Sequence, residues 1–446
     1  MTHPTLRRGA AALAGAALLA AAPFATVTAS AVTARPLSGK THFYVPPAAD
    51  GAKEQIDRLW DHGRDRAAAL IKAEVSTPQA VWFTDGTPKQ VRKAVRKVSD
   101  KAAKKKAVPT LVVYNVPGRD CSQYSSGGAG SDAAYRAWID GFAKGLRNKQ
   151  KVVVVVEPDG LTNLPADCPG AYPGQDAGTF PNPEPGTLTA GRIADIAYAG
   201  QVIRKANRKA LVYLDSGHSA WKSVADATAR LSAAGVRDVQ GFSLNVSNYQ
   251  FTPNLSEYGT WISSCLALHP DAATTTPTDC GDQYYSGGPA NGNVGVALDP
   301  QQVWSATASD PTANTSGIDS RYAAELQAAG VKPKAHFVVD TSRNGRGPWV
   351  PAAGTTYPDP QVWCNPPERG LGERPKGHPA KAYPQLDAYL WIKTPGQSDG
   401  QCNRGVAGST TDPEWNGRTD PAAGAWFGKQ ALQLARLASP KLEIKR

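Results

Sequence analysis

VVVVVEPDGL, residues 152–161, sets five valines directly before two carboxylates, Glu157 and Asp159. A β-branched run without polar alternation marks a strand covered on both faces, as in a parallel sheet wrapped by helices. The same kind of run recurs as AVWF (80–83), TLVVYNV (110–116), ALVYLD (210–215), GFSLNV (241–246), AHFVVDT (335–341) and AYLWIK (388–393). Helical spacings lie between them, for example DAAYRAWIDGFAKGLRNK (132–149) and AGRIADIAYAGQVIRKANRK (190–209). Strands alternating with helices predict an α/β fold around a parallel sheet. Periodicity alone leaves a closed barrel and an open doubly wound sheet equally available.

In either architecture ligands gather at the carboxyl ends of the strands. The residues just after each run are therefore the candidates: Asn115 with Arg119 and Asp120, Glu157 and Asp159, Asp215 with His218, Asn245 with Asn248, Asp340 with Arg343 and Asn344, and Lys393 with Asp399. Trp82, Trp221, Trp363 and Trp391 stand beside these clusters. Carboxylates and amides that bond hydroxyls, with indoles that stack on pyranose faces, make up a sugar site. Glycosidic hydrolysis needs one carboxyl kept protonated, and a carboxyl at the mouth of a valine strand is desolvated enough to hold its proton. That marks Asp159 as a candidate general acid and leaves Glu157 as scaffold. No Gly-x-Gly-x-x-Gly, P-loop or His-Glu-x-x-His motif occurs, so nucleotide and zinc-protease chemistry have no support.

The N-terminus sets a compartment. Arg7 and Arg8 precede GAAALAGAALLAAAPFA, and small-residue cleavage patterns follow at Ala29-Ser30-Ala31 and Val32-Thr33-Ala34. This reads as a secretory signal over 1–34, with a single domain over 35–446 that acts outside the cell with no membrane attachment. Six cysteines, an even number, in an exported chain favour disulfides over metal sites. The formal charge of +11 is partly concentrated in KQVRKAVRKVSDKAAKKK (89–106). Val91, Val95 and Val98 there predict a helix with one buried stripe and a solvated basic face, and the lack of aromatic residues argues against nucleic acid.

Six stretches in order, VVYNVPGRDCSQYSSGG (112–128), VVEPDGL (155–161), YLDSGHSAW (213–221), DTSRNGRGP (340–348), WCNPP (363–367) and LWIKTPGQSDGQC (390–402), resemble glycoside hydrolase family 6, the inverting cellulases. The resemblance runs from about residue 42 to about 427. It implies a distorted seven-stranded parallel β/α barrel, TIM-barrel-like, with long active-site loops, and hydrolysis of β-1,4-glucan with inversion. Asp159 matches the general acid, Asp120 the aspartate that raises its pKa, Asp399 the base and Tyr114 the tyrosine that distorts the sugar. Asp215, His218, Trp221, Asn245, Trp363 and Lys393 match substrate-binding positions, and Trp82 a stacking platform. The resemblance also implies the disulfides Cys121–Cys168 and Cys364–Cys402, leaving Cys265 and Cys280 for a local bridge. No metal or cofactor is implied, and a monomer is the default state for such a hydrolase.

One position departs from the family: Gln397 stands where its members usually carry Glu. With that charge gone, Asp399 should ionise more easily and Lys393 loses a partner. The long tail after Cys402 and the insertion near 256–316 resemble the exo-acting, cellobiose-releasing members more than the open-cleft endoglucanases.

Overall fold

The two faces of the valine run are buried in different places, which is why it alternates with nothing polar. Val153 and Val155 point into a barrel interior shared with Val112, Leu211, Tyr213, Val338 and Ala388. Val152, Val154 and Val156 point outward beneath a layer of helices. Each valine withdrawn from water contributes roughly 1.5–3 kcal/mol, an upper figure measured against an extended chain.

The computed structural model describes residues 37–270, 279–284 and 296–444. The expected signal segment lies outside these, as does part of the 256–316 insertion. The described residues fall within one compact unit, Thr33–Arg446. The strands are β1 (Val81–Phe83), β2 (Thr110–Val113), β3 (Val152–Val156), β4 (Ala210–Asp215), β5 (Gly241–Leu244), β6 (His336–Asp340), β7 (Lys376–Gly377) and β8 (Leu386–Leu390). They lie in the order β1-β2-β3-β4-β5-β6-β8-β7, and every neighbouring pair is parallel except β7 with β8. Seven parallel strands thus form the curled sheet, and the eighth is a two-residue antiparallel addition that sequence patterning is too short to register. The sheet does not close with a ladder. Among the described residues, β1 and β8 meet through Ala80 N–H donating to Trp391 O at 2.9 Å and the Trp82 indole donating to Ile392 O at 2.8 Å.

The surrounding helices are α1 (Ala52–Asp61), α2 (Asp65–Val75), α3 (Pro88–Lys104), α4 (Asp132–Gly145) and α5 (Leu188–Ala206). They continue as α6 (Val224–Ala233), α7 (Thr252–Leu268), α8 (Ser316–Ala329) and α9 (Gly428–Arg436). The basic stretch is α3. Thr87 and Gln90 form a capping box at its start, and Val91, Val95, Ser99 and Ala102 make its buried stripe. Val98 is only half-buried, so the stripe bends one position away from the valine pattern.

At the end of β3 the chain turns left-handed at Glu157 (φ 51°) and again at Asp159 (φ 62°), a conformation that side chains adopt only where their surroundings impose it. Glu157 supplies that constraint. Its buried carboxylate accepts the backbone N–H groups of Asn115 (3.0 Å) and Val116 (3.1 Å) and the Tyr135 hydroxyl (2.9 Å), tying β3 to the end of β2 and to α4. Glu157→Gln should cost about 2 kcal/mol in chemical denaturation, because an amide presents a donor where three donors already converge. Disulfides join Cys121–Cys168, Cys265–Cys280 and Cys364–Cys402. The first holds the loop after β2 against the loop after β3, and the third holds the segment before Asn365 against the one after Asp399.

Candidate active site

The carboxyl ends of β1 to β5 and β8 open onto a cavity of about 310 Å³. Trp82, Tyr114, Asp120, Asp159, His218, Trp221, Trp363, Lys393 and Asp399 line it together. Nine of the residues that the family resemblance singled out therefore converge, from positions more than three hundred apart in the chain, and Asn248 of the strand-end set joins them.

Asp159 sits over β4. Its backbone N–H donates to Asp215 Oδ1 at 2.9 Å, and its own Oδ1 is buried without a hydrogen-bond partner. Burial first, then the negative charges of Asp215, Asp120 and Asp399, raise its pKa well above the ordinary carboxylate value. The group is thus held as a neutral acid at the edge of the cavity. Asp120 also turns left-handed (φ 62°) and accepts the Ser125 N–H at 2.6 Å, and burial lifts its pKa to about 6.

Asp399 is the opposite case. Burial alone would raise its pKa, but Arg343 at 2.8 Å and Lys393 at 3.0 Å outweigh that and hold it at about 2. The Asn365 N–H adds a bond at 3.0 Å. Arg343 is itself fully buried, donates to Ser247 O and lies over the Tyr249 ring. Two carboxyls in one cavity are therefore driven to opposite protonation states by their neighbours.

The rest of the cavity wall is largely aromatic. Trp82 meets Tyr114 edge-on at 5.5 Å between ring centres, and Arg119 lies over the other part of Tyr114 at 4.6 Å. Trp363 leans against Tyr124 at 5.9 Å. Burial lowers the His218 pKa to about 4, so the ring is neutral. The Ala220 N–H donates to its Nδ1 at 3.2 Å, which leaves Nε2–H as the donor.

Three of the residues that the family resemblance singled out, and one of the four tryptophans, lie elsewhere. Asp215 does not line the cavity; it is buried below Asp159, where it also accepts the Ser243 hydroxyl at 2.8 Å and the Gly217 N–H at 3.1 Å. Asn245 is fully buried at a left-handed turn (φ 68°), with its amide donating to Asp340 O at 2.8 Å and its oxygen accepting the Gln250 N–H at 3.0 Å. Gln397 lines a neighbouring groove, not the cavity. Lys393 is accordingly not left without a counter-ion, since Asp399 fills that place. Trp391 packs in a separate core with Leu371 and Leu434.

Sequence reasoning placed Arg343 and Asp340 in the strand-end set without giving them a role, and passed over Asn365. Asp340 accepts the N–H groups of Ser342, Ile392, Lys393 and Ser247, and so joins the ends of β5, β6 and β8. Asn365 binds Asp399 from both sides, its N–H on Oδ2 and its Oδ1 receiving the Asp399 N–H at 2.8 Å. Its place beside Cys364 in WCNPP was the available signal. Among the described residues two clusters have metal-ligand spacing, Cys265 with His269 and Cys280, and Cys402 with Asp412 and Asp420. Their cysteines are spent in disulfides, which leaves too few donors for a metal.

Fold and site together define a parallel β/α-barrel protein of the glycosidase type, with two unlike carboxyls across an aromatic-lined cavity. The chain belongs to the glycosyl hydrolases family 6, whose family model matches residues 38–438. It is 31% identical over 407 residues to Endoglucanase A of Cellulomonas fimi, covering 91% of this chain and 62% of that protein. It is 26% identical over 470 residues to Exoglucanase A of the same species, covering 87% and 48%. The chain thus spans about three fifths and about half of those relatives' lengths. Among solved structures, the endoglucanase Cel6 from Mycobacterium tuberculosis matches with a TM-score of 0.59 at 30% identity, over 90% of this chain and 98% of that one.

Proposed function

We propose that this chain is a secreted, monomeric β-1,4-glucanase whose catalytic domain spans 35–446 and which hydrolyses cellulose-type chains with inversion, cutting internally. The observation that carries the reading is the half-buried Asp159 carboxyl at the cavity edge, its Oδ1 buried without a partner and three other acids around it. Asp159 protonates the glycosidic oxygen as it leaves. Asp120 sustains the acid's pKa through its charge, and Asp399 occupies the base position. Tyr114 crowds the sugar at the point of cleavage, while Trp82, Trp221 and Trp363 stack on neighbouring rings. His218 Nε2–H and Lys393 bond hydroxyls. Asp215 and Asn245 act on substrate only through the backbone they hold. The three disulfides, together with the N-terminal pattern, support secretion.

The length of the tail and of the insertion favours exo action; the packing of the loops supports internal cutting. Among the described residues, neither 168–189 nor 403–427 contributes to the cavity wall. The tail is instead bound to the 361–365 segment, by Arg404 donating to Gln361 O at 2.9 Å and to Cys364 O at 2.8 Å and by Trp415 donating to Asn365 O at 2.8 Å. Endoglucanase A of Cellulomonas fimi and Endoglucanase 1 of Streptomyces halstedii, 31% and 30% identical to this chain, bear endoglucanase names, and the mycobacterial endoglucanase structure is described in complex with a thio-linked cellobioside. On a soluble β-1,4-glucan, viscosity should fall far ahead of reducing-end release, with the α anomer as first product. Steady cellobiose release at nearly constant viscosity would establish the exo form instead.

The pH profile follows from the like charges. Asp159 works protonated, so the rate falls as pH rises through its pKa. Above about pH 6 Asp120 is ionised and holds that pKa up. Asp120→Asn should therefore move the falling alkaline limb of kcat to lower pH, read from rate profiles of both proteins.

A further inference from the structure

The segments that lead into three neighbouring strands are KAAKKKAVP (101–109) before β2, KGLRNKQK (144–151) before β3 and RKANRK (204–209) before β4. Each holds four Lys or Arg and no Asp or Glu. Twelve of the chain's 49 Lys and Arg thus lie there, and the 37 left are balanced by 38 Asp and Glu, so the formal excess of +11 resides on these segments. Because β2, β3 and β4 are parallel neighbours, their amino ends share one side of the barrel. Hydrogen bonds join the segments into one surface: Arg96 donates to Leu146 O at 2.8 Å, the Gln150 amide to Ser99 O at 3.2 Å and the Asn207 amide to Gln150 O at 2.7 Å. Lys104, Lys106, Lys149, Lys205, Arg208 and Lys209 are exposed, and among the described residues none of the six is in an ion pair; Arg147 is, with Asp100 at 2.7 Å. Crowded like charge opposes compaction, and nothing in the packing of the barrel requires it.

We propose that this surface binds an acidic polysaccharide, a polyuronate whose carboxylates repeat along a sugar chain. Nine of the twelve cations are Lys, compact charges on flexible stems that follow carboxylates without a fixed geometry. The three segments contain no aromatic residue on which a base could stack, which disfavours nucleic acid. Among the described residues none of the exposed large hydrophobic side chains falls in them, so nothing there would enter a lipid surface. The catalytic cavity opens at the carboxyl ends of the same strands, about 16 Å away along the five residues of β3, so both sides of the barrel can be occupied at once. The polyuronate is therefore a tether and not a substrate, and its binding does not depend on the glucanase reading above.

The test is binding of the full chain to immobilised polygalacturonate at about 10 mM and about 150 mM salt, in the wild type and in Lys104→Gln, Lys149→Gln and Lys209→Gln combined, one change per segment. The wild type should bind at the lower salt and lose most of that binding at the higher. The triple variant should bind at least about tenfold more weakly, with unchanged turnover of an uncharged soluble glucan. Arg at the same three positions should keep the binding, and cellohexaose in the cavity should leave it unaltered. Each single Gln variant should weaken binding in step, so a triple variant that fails to fold does not remove the test. Absence of binding at low salt overturns the inference, as does binding that the Gln variants leave unchanged or that cellohexaose displaces. Duplex DNA or phosphatidylserine vesicles held more tightly than polygalacturonate, at equal anionic charge, would overturn the choice of partner. Binding is read without turnover, so a chain that cleaves no glucan would defeat the glucanase reading and leave this inference standing.

Discussion

Asp159→Asn should lower turnover of an unactivated β-1,4-glucan by about 10²–10⁴-fold while leaving oligosaccharide binding nearly unchanged. The substitution is close to isosteric and removes only the proton that the leaving oxygen needs. Asp159 is neutral before the reaction, so the amide introduces no new charge and breaks no ion pair; Asp159 Oδ1 has no hydrogen-bond partner to lose. The backbone bond from Asp159 N–H to Asp215 survives as well. A substrate whose leaving group needs no protonation should recover most of the lost rate. Equal losses on both substrates would assign the effect to a displaced loop and remove Asp159 from the acid's place.

Asp399→Asn should be damaging in a second way, since it strands two buried cations. Arg343 and Lys393 both spend their charge on this carboxylate inside the barrel mouth. Breaking a buried pair from one side costs about 3–5 kcal/mol, because the remaining charge is desolvated without compensation. Chemical denaturation should show that loss alongside a collapse in activity. The wild type should also weaken in acid with a defined sign. Its pKa is depressed from 3.8 to about 2, so the ion-pair stability is complete above about pH 4 and disappears as pH falls toward 2. Arg343→Met with Asp399→Asn should recover part of the stability and none of the activity, which separates the two roles.

How far the sequence could be read depended on whether a residue's role lies in its own type or in its neighbours. The valine run announces a doubly covered strand because burial on two faces excludes polar alternation, and β3 is that strand. Strand ends selected by polarity converge on one cavity because parallel strands all present their carboxyl ends to the same side. The opposite protonation of Asp159 and Asp399 was beyond pattern reading. It comes from Arg343 and Lys393 reaching one carboxylate and missing the other, a matter of distances across 240 residues. Asn245 and Asp215 look like ligands in sequence since they are polar residues at strand ends; their side chains are consumed by backbone groups of the barrel mouth and, for Asp215, by the Ser243 hydroxyl as well. Trp391 stands beside a polar cluster in the chain, yet the alternation of β8 turns it away from the cavity into a packed core. The two-residue β7 carries no period at all.

The central claim is that Asp159 is held as a neutral acid by burial and by the charges around it. A carbon-13 NMR titration of the aspartate side chains, with Asp159 assigned by its absence in Asp159→Asn, tests this most directly. The account predicts a carboxyl that keeps its proton well above the ordinary aspartate range. An Asp159 signal that ionises near 3.8, together with undiminished turnover at neutral pH, would contradict it.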